Sequence, residues 1–315
     1  MRNRYVIIIL AVLCFILTAC ASDHKAETKE NEGQIVFTDA LGREVSVQKN
    51  PERVAALIGS FADVWMLAGG EVCASSDDAW DDFGLEMGDA VNLGGTKSPS
   101  LELLFSADPD FVIASASTAK NVEWLEILEN AGITVAYFDV SNFDDYLNML
   151  DICTDITGRK DLYQQNGEHL RAQIETVKQA MDDAPIEEEK KTVLFLRASS
   201  GYIRAKNSEG SILGEMLKNL GCVNIADNDD SLLENLSIES IISRDPYRIF
   251  IVQVGDDTQA VMDNISTMME ENPAWQELSA IKEGRVYYMD KRLFNLKPNA
   301  RWAEAYEILA DILQN

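Results

Sequence analysis

One segment of this sequence occurs twice, and the repeat constrains the fold more than any other feature. The segment SLELLFSADPDFVIA at residues 100–114 returns without a gap as SIESIISRDPYRIFI at residues 237–251. Both copies begin with a serine, carry a glutamate two positions later and reach an apolar run through Asp-Pro. Serine is a favourable helix N-cap and the residue before proline favours extended backbone, so each copy predicts a short helix followed by a strand. A chain of 315 residues with this unit in each half is expected to form two related lobes.

Predicted strands and helices alternate on both sides of the centre of the chain. A hairpin is expected at 35–48, and strand and helix patterns then follow one another with short connections to about residue 140. From 142 to 183 the pattern predicts two helices and no strand, and the alternation resumes at Thr192. Such alternation predicts parallel sheets covered by helices. We therefore expect an α/β fold with one lobe at 35–158, a linker helix at 159–184 and a second lobe at 185–315.

The first 34 residues have a character of their own. The cationic start MRNR precedes an apolar run at 6–17, which is too short for a stable membrane span and is typical of a signal peptide. The following LTAC at 17–20 resembles the lipobox of bacterial lipoproteins, which implies a signal peptide at 1–19 and a lipid on Cys20. Residues 20–34 are polar without periodicity and predict a flexible tether. We expect an extracytoplasmic protein, lipid-anchored to the cell membrane, with an ordinary secretory signal as the alternative.

Charge and cysteine content limit the classes of partner. The formal net charge of −26 at pH 7 opposes binding to nucleic acid and to anionic lipid surfaces. Acid pairs recur in SDDAWDD, DNDD and GDD and predict a solvated acidic surface. Cys73, Cys153 and Cys222 are widely spaced and predict free thiols, with a bridge between Cys73 and Cys153 left open. The sequence contains no G-x-S-x-G, P-loop or G-x-G-x-x-G, so no enzyme signature is present.

The glutamates of the repeat are Glu102 and Glu239. In a single helix, a first-turn glutamate is explained by the helix dipole, which is worth a few tenths of a kcal/mol. The chain carries such a glutamate in both halves, and it contains TDALGREVSVQKNPERVAAL and GSFADVWMLAGG near its start. In these features it resembles the substrate-binding proteins of ABC importers for siderophores, haem and cobalamin. This is the class III group of periplasmic binding proteins, whose lobes are connected by a helix. The resemblance runs from about residue 35 to the C-terminus.

The resemblance implies a fold, a docking site and a set of partners. The fold would be two Rossmann-like lobes with parallel sheets, joined by a long linker helix, with the ligand cleft between the lobes. In the family, one glutamate from each lobe enters an arginine pocket on a permease subunit, and the matching residues are Glu102 and Glu239. The implied partners are the permease dimer with its ATPase, a small molecule, and the membrane through the lipid anchor only. Neither nucleic acid nor a catalytic residue is implied.

Candidate ligand-binding residues lie in loops after the predicted strands, which would face the cleft. The candidates are Ser60, Phe61, Trp80, Ser117, Lys120, Arg197, Tyr202, Arg204, Arg292, Phe294 and Lys297. Basic residues are concentrated at 197–206 and 291–297 and include Lys206 and Lys291. Such residues suit an anionic, oxygen-rich ligand.

The expected ligand is an iron complex, a ferric siderophore. The chain has two histidines, both outside the predicted cleft, so we expect no metal site, no cofactor and no haem held by histidine. Haem held by a tyrosine such as Tyr202, and cobalamin in a cleft walled by Trp80 and Phe294, are alternatives. A sensory or structural lipoprotein, or an enzyme on the same fold, is the alternative from another class. A relative that does not serve transport has no need of both glutamates.

Overall fold

The computed structural model describes residues 28–31, 33–255 and 257–315. The predicted signal peptide and Cys20 lie outside these residues. The strands are β1 (Lys29–Asn31), β2 (Gln34–Thr38), β3 (Glu44–Gln48), β4 (Val54–Ala56), β5 (Val72–Ser75), β6 (Val91–Asn92), β7 (Phe111–Ser115), β8 (Thr134–Phe138), β9 (Thr192–Ala198), β10 (Ile203–Ala205), β11 (Val223–Asn224), β12 (Arg248–Gln253) and β13 (Val286–Met289).

The helices cover both faces of the two main sheets. They are α1 (Gly59–Leu67), α2 (Asp78–Asp81), α3 (Leu101–Ser106), α4 (Ala119–Glu123), α5 (Leu125–Asn130), α6 (Phe143–Thr157), α7 (Lys160–Tyr163), α8 (His169–Asp183), α9 (Ile212–Asn219), α10 (Asp230–Asn235), α11 (Ile238–Arg244), α12 (Thr258–Glu271), α13 (Ser279–Lys282), α14 (Lys291–Phe294) and α15 (Trp302–Gln314). A π turn, Gln164–Glu168, joins α7 to α8, and short 3-10 turns lie at Glu188–Lys190, Pro273–Glu277 and Asn299–Arg301.

The first lobe contains a five-stranded parallel sheet in the order β6-β5-β4-β7-β8. Side chains alternate between the two faces of each strand. In β4, Val54 and Ala56 pack into one hydrophobic core while Ala55 packs into another on the opposite face. The predicted α/β architecture is confirmed for this lobe.

The second lobe contains a sheet in the order β10-β9-β12-β13, with β11 also paired to β9. The pairs β9–β12 and β12–β13 are parallel, as predicted, but β10 is antiparallel to β9. The chain turns back because Tyr202 N–H donates to Ser199 Oγ at 3.1 Å and Ser199 N–H donates to the Tyr202 carbonyl at 2.8 Å. The predicted parallel sheet therefore carries one antiparallel strand at this edge, where Arg204 lies opposite Arg197.

A separate three-stranded antiparallel sheet, β1-β2-β3, packs beside the first lobe. The hairpin β2–β3 confirms the prediction for 35–48. The predicted flexible tether at 20–34 is wrong in its last part, because β1 pairs with β2. Thr28 Oγ1 donates to Asp155 Oδ2 at 2.8 Å, and Lys49 Nζ lies 2.8 Å from Glu30 Oε1. These long-range partners order a segment whose polar composition gave no strand signal.

The long helical connection runs through α7, the π turn and α8, from Lys160 to Asp183. The π turn is fastened to the first lobe by two hydrogen bonds. Tyr146 Oη donates to the Asn166 carbonyl at 2.8 Å, and Asn166 Nδ2 donates to the Leu67 carbonyl at 2.8 Å. The predicted linker helix is therefore present and is attached firmly at its start.

One continuous core joins the two lobes on the side of the linker. It includes Trp65 of the first lobe, Ile174 of the linker and Trp302 of the second lobe. The opposite faces of the sheets have separate cores, one in each lobe. Leu104 of α3 packs into the separate core of the first lobe, and Ile241 of α11 into that of the second. Both repeated helices therefore lie on sheet faces turned away from the shared core.

The described cysteines, Cys73, Cys153 and Cys222, are free thiols, as predicted. In the described ranges, no helix is both long enough and apolar enough to cross a membrane.

Candidate functional site

The two repeated helices have the same local structure. Ser100 Oγ accepts a hydrogen bond from Leu103 N–H at 3.2 Å in α3, and Ser237 Oγ accepts one from Ser240 N–H at 3.3 Å in α11. The predicted caps are confirmed. Glu102 and Glu239 both lie in the first turn, where the helix dipole favours their charge, and both side chains are exposed.

The ends of the two helices also match. Asp108 and Asp245 precede the prolines and both adopt left-handed backbone, with φ of 48° and 39°. Such a conformation is uncommon for a residue other than glycine. Its presence at equivalent positions indicates that the repeat is a complete helix–turn–strand unit and not a chance similarity of residue types.

Exposed apolar side chains accompany each glutamate. Leu103 and Phe105 are each 40% exposed beside Glu102, and Ile242 is 38% exposed beside Glu239. The repeat therefore presents, on each lobe, an exposed glutamate beside partly exposed apolar side chains.

A cluster of polar contacts connects the lobes below the cleft. Arg292 Nη2 lies 3.2 Å from Asp63 Oδ2, and Asn299 Nδ2 donates to the same oxygen at 2.8 Å and to the Ser60 carbonyl at 2.9 Å. The Arg292 guanidinium also lies over the Phe83 ring, 3.9 Å from its centroid. Burial raises the pKa of Asp63, although the Asn299 hydrogen bond and the Arg292 charge oppose that rise. We call Asp63, Arg292 and Asn299 the inter-lobe brace.

A second ion pair crosses between the lobes at the edge of a cavity. Lys291 Nζ lies 2.7 Å from Asp82 Oδ1. Both residues line a cavity of about 770 Å³, whose other walls include Gln253, Tyr288 and Met289. Such a volume is in the range of small-molecule sites. None of the predicted ligand-binding residues lines this cavity, and its ionisable groups are mostly acidic.

Basic residues of the second lobe gather on the opposite side of β9. Arg197 and Arg204 are opposite each other in the β9–β10 pair, and the Arg204 guanidinium lies 4.9 Å from the centre of the Tyr202 ring. Burial lowers the pKa of Lys206, and the charges of Arg197 and Arg204 lower it further. The structure therefore brings these three predicted basic residues together.

Lys297 lies between the lobes. Its Nζ is 6.0 Å from the centre of the Phe61 ring of the first lobe. Burial lowers the pKa of Lys297, the carboxylates of Asp139 and Asp78 oppose this, and the charge of Arg197 adds to it. The Phe61 contact places the Lys297 ammonium group beside the first lobe.

Several predicted ligand-binding residues are placed differently from the prediction. Ser60, Phe61 and Phe294 are 4%, 1% and 2% exposed, and the two phenylalanines belong to the shared core. Phe61 and Phe294, which were predicted to contact the ligand, therefore have no open ring face here, because apolar packing beneath the cleft takes both rings. Arg292 is engaged in the brace rather than free for a ligand.

The remaining candidates lie at the surface of the cleft region. Trp80 is partly buried in α2 and packs against the shared core. Ser117 is exposed and lies 3.0 Å from Ser115 Oγ, while Lys120 Nζ pairs with Glu123 Oε2 at 2.8 Å. No contact tests whether these side chains touch a ligand, and their role stays a prediction.

Sequence reasoning missed the carboxylates of the first lobe. The acidic residues of SDDAWDD were expected to form a solvated surface. This is wrong for Asp78 and Asp82, which have partners within the protein. Asp82 pairs with Lys291, and Asp78 accepts hydrogen bonds from Ser76 Oγ at 2.6 Å and Gly59 N–H at 2.9 Å. Burial raises the pKa of Asp78. In the sequence, the one indication of a buried carboxylate was Asp63, because it is a lone acid inside the apolar helix SFADVWML.

Among the described residues, no group of three or more histidine, cysteine, aspartate or glutamate side chains is arranged to hold a metal ion.

Comparison with known proteins gives a consistent result. A sequence model of the family described as "Periplasmic binding protein" matches residues 54–293. The chain is 26% identical over 294 residues to the Fe(3+)-citrate-binding protein YfmC of Bacillus subtilis, covering 90% of this chain and 88% of that protein.

Solved structures share the fold. S. aureus IsdE complexed with heme superposes with a TM-score of 0.69 at 16% identity, covering 84% of this chain and 99% of that one. Staphylococcus aureus SirA complexed with staphyloferrin B superposes with a TM-score of 0.67 at 18% identity, covering 88% and 96%. These likenesses confirm the predicted two-lobed, class III architecture. With the family match over most of its length, the chain belongs to the periplasmic binding protein family.

Proposed function

We propose that this protein is the extracytoplasmic substrate-binding lipoprotein of an ABC importer, capturing an iron complex between its lobes and delivering it to the permease. The observation that supports this most directly is the pair of capped helices with exposed Glu102 and Glu239. A single first-turn acid is explained by helix stability, but two copies on the faces turned away from the shared core suit a two-fold symmetric partner. The permease dimer, with its ATPase, is that partner.

The proposed ligand is a ferric siderophore or a similar iron chelate. The basic residues Arg197, Arg204 and Lys206 would face an anionic ligand, as arginine and lysine do where carboxylate oxygens are recognised. The relative named as an Fe(3+)-citrate-binding protein and the superposable SirA, complexed with staphyloferrin B, favour the same class. Haem is the second candidate, because the superposable IsdE is complexed with heme. No chemical reaction on the ligand is part of the proposal.

The protein would be held at the outer surface of the cell membrane through a lipid on Cys20. The polar stretch after Cys20 leads into β1, and Thr28, just before this strand, and Glu30, within it, already contact the folded body. Changing Cys20→Ala is expected to release the protein from the membrane fraction. Retention of that variant in the membrane fraction would contradict the anchor.

Ligand binding is best tested by tryptophan fluorescence of the purified protein. Trp80 is the one partly exposed tryptophan in the described residues, since the other four are buried. The panel comprises ferric citrate, a ferric hydroxamate, a ferric catecholate, haem and cobalamin, with a Trp80→Phe variant to assign the signal. Saturable quenching by a ferric chelate is expected.

The possible outcomes separate the candidates. Binding of haem or cobalamin alone would contradict the iron-chelate ligand while leaving the transport role. Absence of binding across the panel would contradict the proposed receptor for this ligand class. Calorimetry with the Trp80→Phe variant provides the affinity independently of the fluorescence change.

A further inference from the structure

A groove on the outer face of the second lobe begins beside Glu239. Its volume is about 690 Å³, and its lining comes from β10, α10, α11, α12 and the 3-10 turn Pro273–Glu277. Ile238, the first residue of α11, lines the groove and immediately precedes Glu239 in the chain. The groove is therefore continuous with the surface that the second copy of the repeat presents.

The lining of this groove is mostly apolar. Its apolar members are Ile203, Leu236, Ile238, Met268 and Trp275. Trp275 is buried in the separate core of the second lobe, and the other four pack against that core while remaining partly exposed. The polar members are three asparagines and the exposed Glu271. A concave surface of this kind can bury an apolar side chain of a partner, because water is then removed from both.

Hydrogen bonds hold the walls of the groove in place. Asp229 connects α10 to α11, since its side chain accepts from Ser231 N–H at 3.0 Å and from Ser240 Oγ at 2.6 Å. On the other side, Asn264 Nδ2 of α12 donates to the Ser199 carbonyl, in the turn between β9 and β10, at 2.8 Å. A groove that is formed before binding loses little conformational freedom when a partner enters it.

The residue between α10 and α11 has an unusual backbone conformation. Leu236 is left-handed, with φ of 49° and ψ of 50°, which is a rare conformation for a bulky side chain. Leu236 and Ile238, on either side of the Ser237 cap, both line the groove. Strained residues of this kind are concentrated at functional sites, where the surrounding structure holds them. The conformation therefore favours a function for this wall of the groove.

We infer that the groove takes an apolar side chain from the permease subunit that meets Glu239, on a segment that also carries a basic residue. This inference rests on the proposed function and specifies how the second lobe docks. Glu239 beside the groove and Glu271 in its lining are both exposed, so they would attract a basic residue next to the apolar one. The apolar side chain would enter the groove while the basic residue pairs with a glutamate.

The charge of the protein favours this occupant over a second copy of the same chain. The formal net charge is −26 at pH 7, so two copies repel each other. The two glutamates likewise oppose an anionic small molecule. A basic and apolar segment of a membrane protein meets neither objection, and Glu239 is already the proposed contact with that protein.

The test compares Met268→Gln with Ile308→Gln. Glutamine keeps the approximate length of methionine but removes the apolar contact. Ile308 is 38% exposed in α15, which packs into the shared core rather than into the core behind the groove, so this variant is the matched control. Uptake of radiolabelled iron supplied as ferric citrate is measured in cells that carry each variant. Met268→Gln is expected to reduce uptake about fivefold, Met268→Leu to retain most of it, and Ile308→Gln to leave it unchanged.

The affinity of the purified variants for ferric citrate separates docking from ligand binding. Met268→Gln is expected to bind ferric citrate like the wild type. Reduced uptake together with reduced ferric citrate affinity would overturn the inference, because the substitution would then act on the fold or the ligand site. Normal uptake in Met268→Gln with impaired uptake in Glu239→Ala would overturn the groove while leaving the proposed function. Normal uptake in both variants would contradict the proposed docking as well.

Photo-crosslinking identifies the occupant directly. A benzophenone side chain is placed at position 268 and, as the control, at position 308, and the cells are irradiated during uptake of ferric citrate. Position 268 is expected to crosslink to a permease subunit, with a lower yield when Glu239→Ala is also present, and position 308 is expected not to do so. A crosslink to a second copy of this chain, a yield that does not depend on Glu239, or no crosslink from position 268 would overturn the inference.

Discussion

The two lobes present opposite charges to the cleft between them. The first lobe contributes Asp63, Asp78, Asp82 and Asp139, whereas the second contributes Arg197, Lys291, Arg292 and Lys297. On their outer faces the same lobes carry corresponding helices, with matching caps, first-turn glutamates and aspartates in left-handed backbone. The repeat is thus retained where both lobes would meet equivalent subunits of a symmetric partner. It has diverged where both lobes face one ligand that lacks that symmetry.

The opposite charges also hold the lobes together. Asp82–Lys291 and the brace around Asp63 connect the first lobe to residues 291–299 of the second. Together with the shared core and the helical linker, these contacts favour a limited range of inter-lobe motion. A ligand that binds here has to fit between the lobes without breaking the brace.

Among single substitutions, the largest expected effect comes from replacing Glu102 or Glu239 alone. Glu102→Gln and Glu239→Gln are each expected to reduce uptake of the iron complex at least about tenfold, because each would remove one charge-paired contact with the proposed permease partner. The reductions should be similar, since the two helices are equivalent. Uptake of radiolabelled iron in cells that carry each variant provides the measurement. A large reduction in one variant and none in the other would show that the lobes do not dock equivalently.

A second prediction tests the inter-lobe brace, in which Asp63 of the first lobe contacts Arg292 and Asn299 of the second. Asp63→Ala leaves Arg292 and Asn299 without their shared acceptor and is expected to lower the free energy of unfolding by about 2 kcal/mol. Urea denaturation followed by circular dichroism measures the change. Asp81→Ala, an exposed acid of α2, serves as the control and is expected to have little effect. Equal stability of the two variants would contradict the assigned role of Asp63.

A third prediction compares the caps of the two repeated helices. Ser100→Ala and Ser237→Ala each remove one side-chain acceptor and are expected to cost about 1 kcal/mol. The two costs should agree, because the cap hydrogen bonds measure 3.2 and 3.3 Å. Chemical denaturation of each single variant checks this. Stability loss in one helix only would mean that the structural equivalence does not extend to energetics.

The smallest expected effect is the pH dependence of Lys297. Its pKa in the folded protein is lowered from 10.5, so between the folded and unfolded values the unfolded chain binds more protons and stability rises with pH. Lys297→Met is expected to remove this rise. For Lys218, Glu209 raises the pKa, so its contribution has the opposite sign and is lost at high pH. Unfolding temperatures of Lys297→Met and Lys218→Met, measured as the pH approaches 10.5, should separate the two variants. Parallel pH profiles would contradict the lowered pKa assigned to Lys297.

Local elements of this fold could be predicted from sequence, because their determinants are close together in the chain. The Ser caps, the Asp-Pro stops and the linker helix all follow from signals within a few residues. The brace could not, since Asp63 and Asn299 are 236 residues apart and nothing near either one indicates the other. The same limit applies to β1 and β10, whose pairing depends on neighbouring strands rather than on their own residues. The two basic segments are recognisable in the sequence, but only the structure shows that Arg292 belongs to the brace.

The most direct test of the account measures ligand binding and uptake in the same double variant, Glu102→Ala with Glu239→Ala. The control is Glu126→Ala with Glu234→Ala, which removes two other exposed acids from the same lobes. The account predicts that the first variant binds the iron complex with wild-type affinity but supports no more uptake than cells lacking the protein, while the control supports normal uptake. Normal uptake in the first variant would contradict the assignment of the repeated helices as the docking surface.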